Sequence, residues 1–329
     1  MQAGYRSFGE QALHYFQRAH DGPAPPVVGG PAAWRGPDVA GRSDWSFEFS
    51  AQDIAELESA AAASAHVALG EVTRRDFPLP GLSSRMAAWT SELRQGRGFL
   101  FLRGLPVARW GEELSSRVFW GLGHHLGMPG AQNPQNELLG HVRDYGEDSA
   151  NPYVRKYRTA ADIAFHCDLA DVVGLLCLQP ARSGGASRIA SSVAVHDELS
   201  RRRPDLVRRL YGTFLLDTRD EARNESMPWV PVQPCCYDGT SLRTFWHSDY
   251  FRSVERHAAA PRFTAEEREL MDLYDEIAAS PDLYLDMSFE AGDIQLISNH
   301  TIVHARTAYE DWPQPAKRRH LLRLWLSLD

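Results

Sequence analysis

The stretch Ala161-Asp-Ile-Ala-Phe-His-Cys-Asp-Leu-Ala-Asp-Val-Val-Gly-Leu-Leu-Cys-Leu178 decides how this chain reads. Its second half, 172–178, is a continuous apolar run, the pattern of a strand covered on both faces. Its first half carries His166 and Asp168, two residues apart. On a strand such a pair projects from one side of the sheet. Joined by a second histidine from elsewhere, it makes the three-donor face that holds non-haem Fe(II) and leaves positions open for oxygen and substrate.

The pair alone is a weak signal. With 13 histidines and 43 acidic residues in 329, chance supplies about two His-x-[Asp/Glu] matches, and the chain has three. His196 and Glu198 fall in a helical pattern, where residues two apart point about 200° apart, and read as a surface pair. His247 and Asp249 sit in Phe245-Trp-His-Ser-Asp-Tyr-Phe251 and read as the polar rim of a pocket with aromatic walls. His166 and Asp168 stand out because the buried-strand run follows directly, and then Gly184, Gly185 and the polar Ser187.

A third donor must come from a distant strand. Ile294-Gln-Leu-Ile-Ser-Asn-His-Thr-Ile-Val-His304 offers His300 and His304, and by chemistry alone either serves. Downstream, strand alternation puts Arg319, Leu321, Arg323 and Trp325 on one face and His320, Leu322, Leu324 and Leu326 on the other. Two arginines on an apolar strand are costly to bury without anions. Guanidinium binds carboxylate bidentately, so this face suits a dicarboxylate; pairing with Asp or Glu of the chain itself is the bland reading.

Helices are expected over 50–70, 83–95, 110–126, 195–203 and 264–279, the last opened by Thr264 and Glu267 at capping-box spacing. Strands are expected over 99–102, 153–157, 163–165, 172–178, 229–232, 242–246, 283–287, 294–298 and 319–326. Residues 1–48, broken by Pro23, Pro25, Pro26, Pro31 and Pro37, read as a loosely structured arm. Helices around a late run of short strands imply an α+β chain with a β-sandwich or open barrel at its centre.

A net charge of −8 argues against nucleic-acid or anionic-membrane partners. Cys167, Cys177, Cys235 and Cys236 show no CxxC spacing and read as free thiols in a reducing compartment. No signal peptide or membrane-length apolar run is visible, so a cytoplasmic setting is expected, with homo-oligomerisation left open.

Taken in order, Phe165-His-Cys-Asp168, Gly184-Gly-Ala-Ser187, Gly292-Asp293, Asn299 with His304, and Arg318-Arg319 with Arg323 resemble the TauD/TfdA family of Fe(II)- and 2-oxoglutarate-dependent dioxygenases. The resemblance implies a double-stranded β-helix (jelly-roll or cupin-like) core flanked by helices. It implies one domain over 49–329, with a helical layer at about 49–150, a β core at about 151–329 and a helical insertion at 262–280. It assigns Fe(II) to His166, Asp168 and His304, and the distal carboxylate of 2-oxoglutarate to Arg319. Ser187 stands where the family usually has threonine, and Arg323 lies near the cosubstrate or an anionic substrate group. The implied activity uses O2 to oxidise an unactivated C–H of a small molecule, with release of succinate and CO2. That molecule is an amino acid, a small peptide or a natural-product intermediate. Hydroxylation is the default, with desaturation, epoxidation or cyclisation as alternatives. The carboxylate of Asp168 argues against halogenation, which needs that position free. A zinc hydrolase or lyase and a metal-free binding protein are the rivals from other classes. Tyr157, Arg158, Trp246, His247, Tyr250 and Arg323 are the candidate substrate contacts.

Overall fold

The computed structural model describes residues 4–151, 153–219 and 228–328. Its architecture is α+β, built on a seven-stranded and a four-stranded sheet with helices on the outer face of each. In the larger sheet Val172–Gln179 is central, flanked antiparallel by Ile294–Ser298 and His320–Ser327. Phe99–Arg103 pairs with Ile294–Ser298 on the far side. The smaller sheet runs Tyr284–Met287, Ser187–Ser191, Ile302–Arg306, Ile163–His166.

Period-two alternation explains the layering. Leu322, Leu324 and Leu326 face outward onto the helices Ala51–Ala63, Ser83–Gln95 and Val107–Leu126, in a core with Val172, Leu176, Trp89 and Phe119. Trp325 faces the other way, into a core that joins the sheets: Phe99, Phe101, Val173 and Ile297 meet Ile189, Leu285, Met287 and Ile302. In the smaller sheet Phe165, Val303 and Ala305 turn outward, onto Leu199, Tyr274 and Ile277 of the helices Ser192–Arg202 and Ala265–Ala278. His166, His304 and Arg306, one position on from these, therefore project between the sheets.

The expected elements are largely present, with informative exceptions. Residues 153–157 form no strand; a 3-10 turn occupies Lys156–Arg158. Ile302–Arg306, the strand carrying His304, is not among the expected strands because it follows so closely on the apolar signal of Ile294–Ser298. The larger sheet also recruits Ser46–Glu48, Phe99–Arg103, Met128–Gly130 and Gly140–Val142, so strands are not confined to the region after residue 150.

Residues 4–48 are not loosely structured. Phe8–Phe16 is a helix with a complete Ser7/Glu10 capping box. Tyr15 is fully buried, hydrogen-bonded through its hydroxyl to the Thr244 and Asn299 carbonyls and stacked on His300. His14 Nε2 meets Asp171 Oδ2 at 2.8 Å. Burial here is carried partly by the polar Gln11, which weakens any apolar stripe. His196 and Glu198, read as a surface pair, are both buried: Glu198 gathers Arg201, Arg202 and Arg35, and His196 bonds the Tyr211 hydroxyl.

Gly292 shows what the turn before Ile294–Ser298 demands. Its φ is +95°, and a Cβ there would stand 2.0 Å from the Leu105 carbonyl oxygen. Gly292→Ala is expected to cost at least about 2 kcal/mol, from left-handed strain and displacement of backbone. A urea midpoint equal to that of the unaltered protein would refute this. Among the described residues no helix is long and apolar enough to cross a membrane.

Candidate metal and anion site

The register of the smaller sheet sets His304 directly opposite His166, with ring centroids 4.2 Å apart. Asp168 lies just past the end of Ile163–His166. Its turn is held by the Asn299 amide, which donates to the Asp168 and Ala170 carbonyls at 3.0 Å. The donor atoms of His166, Asp168 and His304 all fall within 4.8 Å of one another.

The hydrogen bonding and charge of these groups suit a cation. His166 Nδ1 lies 2.9 Å from the Ala164 carbonyl, so this nitrogen carries a proton and Nε2 keeps the lone pair a metal would need. Burial, then the neighbouring His166, push His304 down to about 3, so it is a neutral imidazole. Burial alone would raise Asp168, but Arg323, the two histidines and the Trp325 indole N–H outweigh it and bring the carboxyl down to about 2. His304 Nε2 stands 3.9 Å from Asp168 Oδ2, beyond hydrogen-bond reach, which leaves room for an ion between them. Two imidazole nitrogens and a carboxylate fit Fe(II).

His300 is not part of this face. It sits in the turn before Ile302–Arg306 and binds Asp171 Oδ1 at 2.7 Å, on the side of the N-terminal helix. Glu112, His141 and His320 also cluster. There His141 Nδ1 and His320 Nε2 are 2.8 Å apart, a hydrogen-bond length, whereas two nitrogens on one tetrahedral ion stand about 3.4 Å apart. They read as a hydrogen-bonded pair.

Arg319 is 4% exposed, forms no ion pair among the described residues, and its buried Nη1 has no partner there. Arg306, not singled out from the sequence, is its companion: 7% exposed, with Nε and Nη1 buried and unpartnered among the described residues. Its Nη2 donates to the Thr159 and Ala161 carbonyls. Both guanidiniums lie about the Tyr309 ring, at 4.9 and 5.0 Å. Burial, then repulsion from Arg319, lowers Arg306 to about 10. Two buried cations with orphaned donors are chemically suited to an anion. Gly185, with φ +71°, gives Arg319 its space, since a Cβ there would lie 3.0 Å from Nε. The signal that marks Arg306 is its spacing, two residues after His304 and thus on the same strand face.

The remaining candidates divide. Arg323 is committed to Asp168, at 3.2 Å to Oδ2, and to Gln132 Oε1 at 2.7 Å. The Ser187 hydroxyl donates to Gln295 Oε1 at 2.8 Å. Tyr157, His247, Tyr250 and Arg323 line a cleft that also contains His166 and Asp168. Trp246 does not: it is fully buried in the outer core, stacked on Tyr274 at 3.9 Å with its indole N–H on Asp275. Arg158 is outside the cleft lining, ion-paired with Glu147 and stacked over Tyr145. The cleft adds residues that were not expected as contacts, among them Lys156, paired with Asp249 at 2.6 Å, and Arg219.

The sequence model of the taurine catabolism dioxygenase TauD, TfdA family matches residues 56–325. FR-33289 synthase of Streptomyces rubellomurinus is 28% identical over 316 residues, covering 92% of this chain and 91% of that protein. A taurine hydroxylase-like protein of Stachybotrys chartarum is 28% identical over 310 residues, covering 89% and 77%. Among solved structures, asparagine oxygenase in complex with Fe(II), 2S,3S-3-hydroxyasparagine and succinate superposes with a TM-score of 0.66 at 18% identity, covering 86% of this chain and 93% of that one. The non-heme iron oxygenase OrfP in complex with Fe, succinate and (3S)-hydroxy-L-Arg gives 0.65 at 13%, covering 86% and 94%. At these identities the structural likeness speaks for the fold.

Proposed function

The chain belongs to the taurine catabolism dioxygenase TauD, TfdA family, and from that premise we propose that it hydroxylates an unactivated C–H bond of an amino acid or natural-product intermediate. It is an Fe(II)- and 2-oxoglutarate-dependent oxygenase. The observation that carries the site assignment is the convergence of His166, Asp168 and His304 beside two buried guanidiniums with orphaned donors. In this reading the three side chains hold Fe(II), and Arg319 with Arg306 holds the distal carboxylate of 2-oxoglutarate. Ser187 would then act through Gln295, its proton being already donated there.

Bound Fe(II), 2-oxoglutarate and O2 together supply the oxidising power, with succinate and CO2 as co-products. The protein's own groups do the positioning. Arg323 and the Trp325 indole fix both the charge and the orientation of Asp168. The Ala164 carbonyl fixes the His166 tautomer. Tyr157, His247 and Tyr250 wall the cleft and hold the substrate's carbon against the metal face, excluding water. The relatives support a small substrate: one neighbour is named for asparagine oxygenation and another was solved with a hydroxyarginine.

The facing sheets are read with this as a double-stranded β-helix, and residues 49–329 as one catalytic domain. The four buried free thiols support a cytoplasmic setting.

Anaerobic addition of Fe(II) and 2-oxoglutarate is expected to raise a weak visible charge-transfer band. Exposure to O2 with candidate substrates should then accelerate succinate formation and give products heavier by one oxygen. A −2 mass change would turn the reading to desaturation or cyclisation. No band and no succinate with any metal loading would sink it.

A further inference from the structure

The cleft beside the proposed iron site contains a cation that no described residue neutralises. Of the other charged groups lining it, Arg323 faces Asp168, Lys156 faces Asp249, and Arg155 donates to the Gln132 carbonyl. Arg219 forms no ion pair among the described residues, and its Nε is buried with no partner there. Among those residues its side chain makes one long hydrogen bond, 3.4 Å, from Nη1 to the Val154 carbonyl. The guanidinium lies over Tyr250, 3.9 Å from the ring centroid. Tyr250 stacks on His247 at 3.7 Å, and His247 lies 5.0 Å from His166. A continuous line of rings thus leads from the proposed metal ligand to this charge.

The backbone is bent to put it there. Arg219 has φ +49°, one of two non-glycine residues in the left-handed region among those described. Such a conformation costs about 1–3 kcal/mol and persists only where surroundings enforce it. The enforcing group is Asp217, a buried carboxylate that accepts from the Arg219 backbone N–H at 2.8 Å. Asp217 is itself clamped by Arg256 and Ser253. A strained turn, anchored from beneath, that holds a guanidinium over an aromatic platform is a preorganised anion receptor.

We infer that Arg219 anchors an anionic oxoacid group of the substrate, a carboxylate, sulfonate or phosphonate at the end remote from the oxidised carbon. This rests on the reading of the cleft as the oxygenase's substrate site. It makes the substrate anionic at that end and Arg219, with Tyr250 beneath it, a determinant of specificity. Arg323 is unsuited to the task because Asp168 and Gln132 already take its donors.

The test uses full-length protein with Fe(II) and saturating 2-oxoglutarate under anaerobic conditions, so that the Arg306 and Arg319 site is already filled. Methylphosphonate, methanesulfonate and acetate are titrated separately by calorimetry. At least one should bind saturably; which one binds best distinguishes the three sources of the charge. Arg219→Gln should weaken that binding at least about tenfold, and Arg219→Lys should recover part of it. The charge-transfer band should survive both changes, because neither touches metal or cosubstrate. No saturable binding by any probe, or binding unchanged in Arg219→Gln, overturns the inference. Absence of the band in the unaltered protein would instead overturn the metal and cosubstrate reading.

Discussion

His304→Ala is expected to abolish Fe(II)-dependent turnover, by at least about a thousandfold, or about 4 kcal/mol of lost stabilisation. The effect on folding should be small and separable. The His304 side chain makes no hydrogen bond among the described residues: Nδ1 is orphaned and Nε2 stands 3.9 Å from Asp168. Removing a buried imidazole without such a partner sets lost packing against relief of an unsatisfied polar atom. The metal-free variant should therefore melt close to the metal-free parent. Metal should tell them apart: saturating Fe(II) or a redox-inert substitute at about a hundred times its Kd stabilises a specific site by about 2.7 kcal/mol. That upward shift in melting temperature should be present in the parent and missing in His304→Ala. His300→Ala should retain it, because His300 faces Asp171 on the other side of the chain. An equal metal-induced shift in His304→Ala would remove this residue from the ligand set.

Arg319→Ala is expected to raise the KM for 2-oxoglutarate by about a hundredfold or more. Truncating one partner of a desolvated charge pair costs about 2–5 kcal/mol. The same change should act with the opposite sign on the protein alone. Without an anion, Arg319 and Arg306 are two buried cations near one aromatic ring. Burial lowers both, and repulsion from Arg319 adds to the effect at Arg306. Deleting one removes an uncompensated buried charge. Without 2-oxoglutarate the variant should thus be at least as stable as the parent; with it, less stable. Arg306→Ala should show the same inversion, and the double variant should fall short of the sum of the two, since both act on one carboxylate. A fully active Arg319→Ala enzyme at low 2-oxoglutarate would end the cosubstrate assignment, and an additive pair would separate Arg306 from it.

Much of the candidate site is legible in the chain because it is written in period two. The alternation that turns Phe165 outward turns His166 inward. The same alternation splits 319–326 into an apolar face for the helices and a charged face for the site. The capping signals of Ser50 and Thr264 fall where helices begin, as local hydrogen bonds require. Where the structure departs from the expected pattern, the cause is not local. The first helix buries a glutamine and a tyrosine through hydrogen bonds to partners more than 150 residues away. Glu198 is buried with the help of Arg35, a neutralising partner far back in the chain.

The order of residues alone specifies the chemistry offered: a histidine and a carboxylate at one strand end, and two arginines on one face of the last expected strand. It could not choose between His300 and His304, since both lie close together after the same apolar run. The tertiary structure separates them, because cross-strand register places His304 opposite His166 while the intervening turn carries His300 to Asp171. It likewise committed Arg323 to Asp168, withdrew Trp246 into the outer core, and brought Arg306 and Arg219 forward. Which side a residue faces follows from its neighbours in the chain. Which charge it meets follows from strands brought together from distant parts of the sequence, and only the folded sheets decide that.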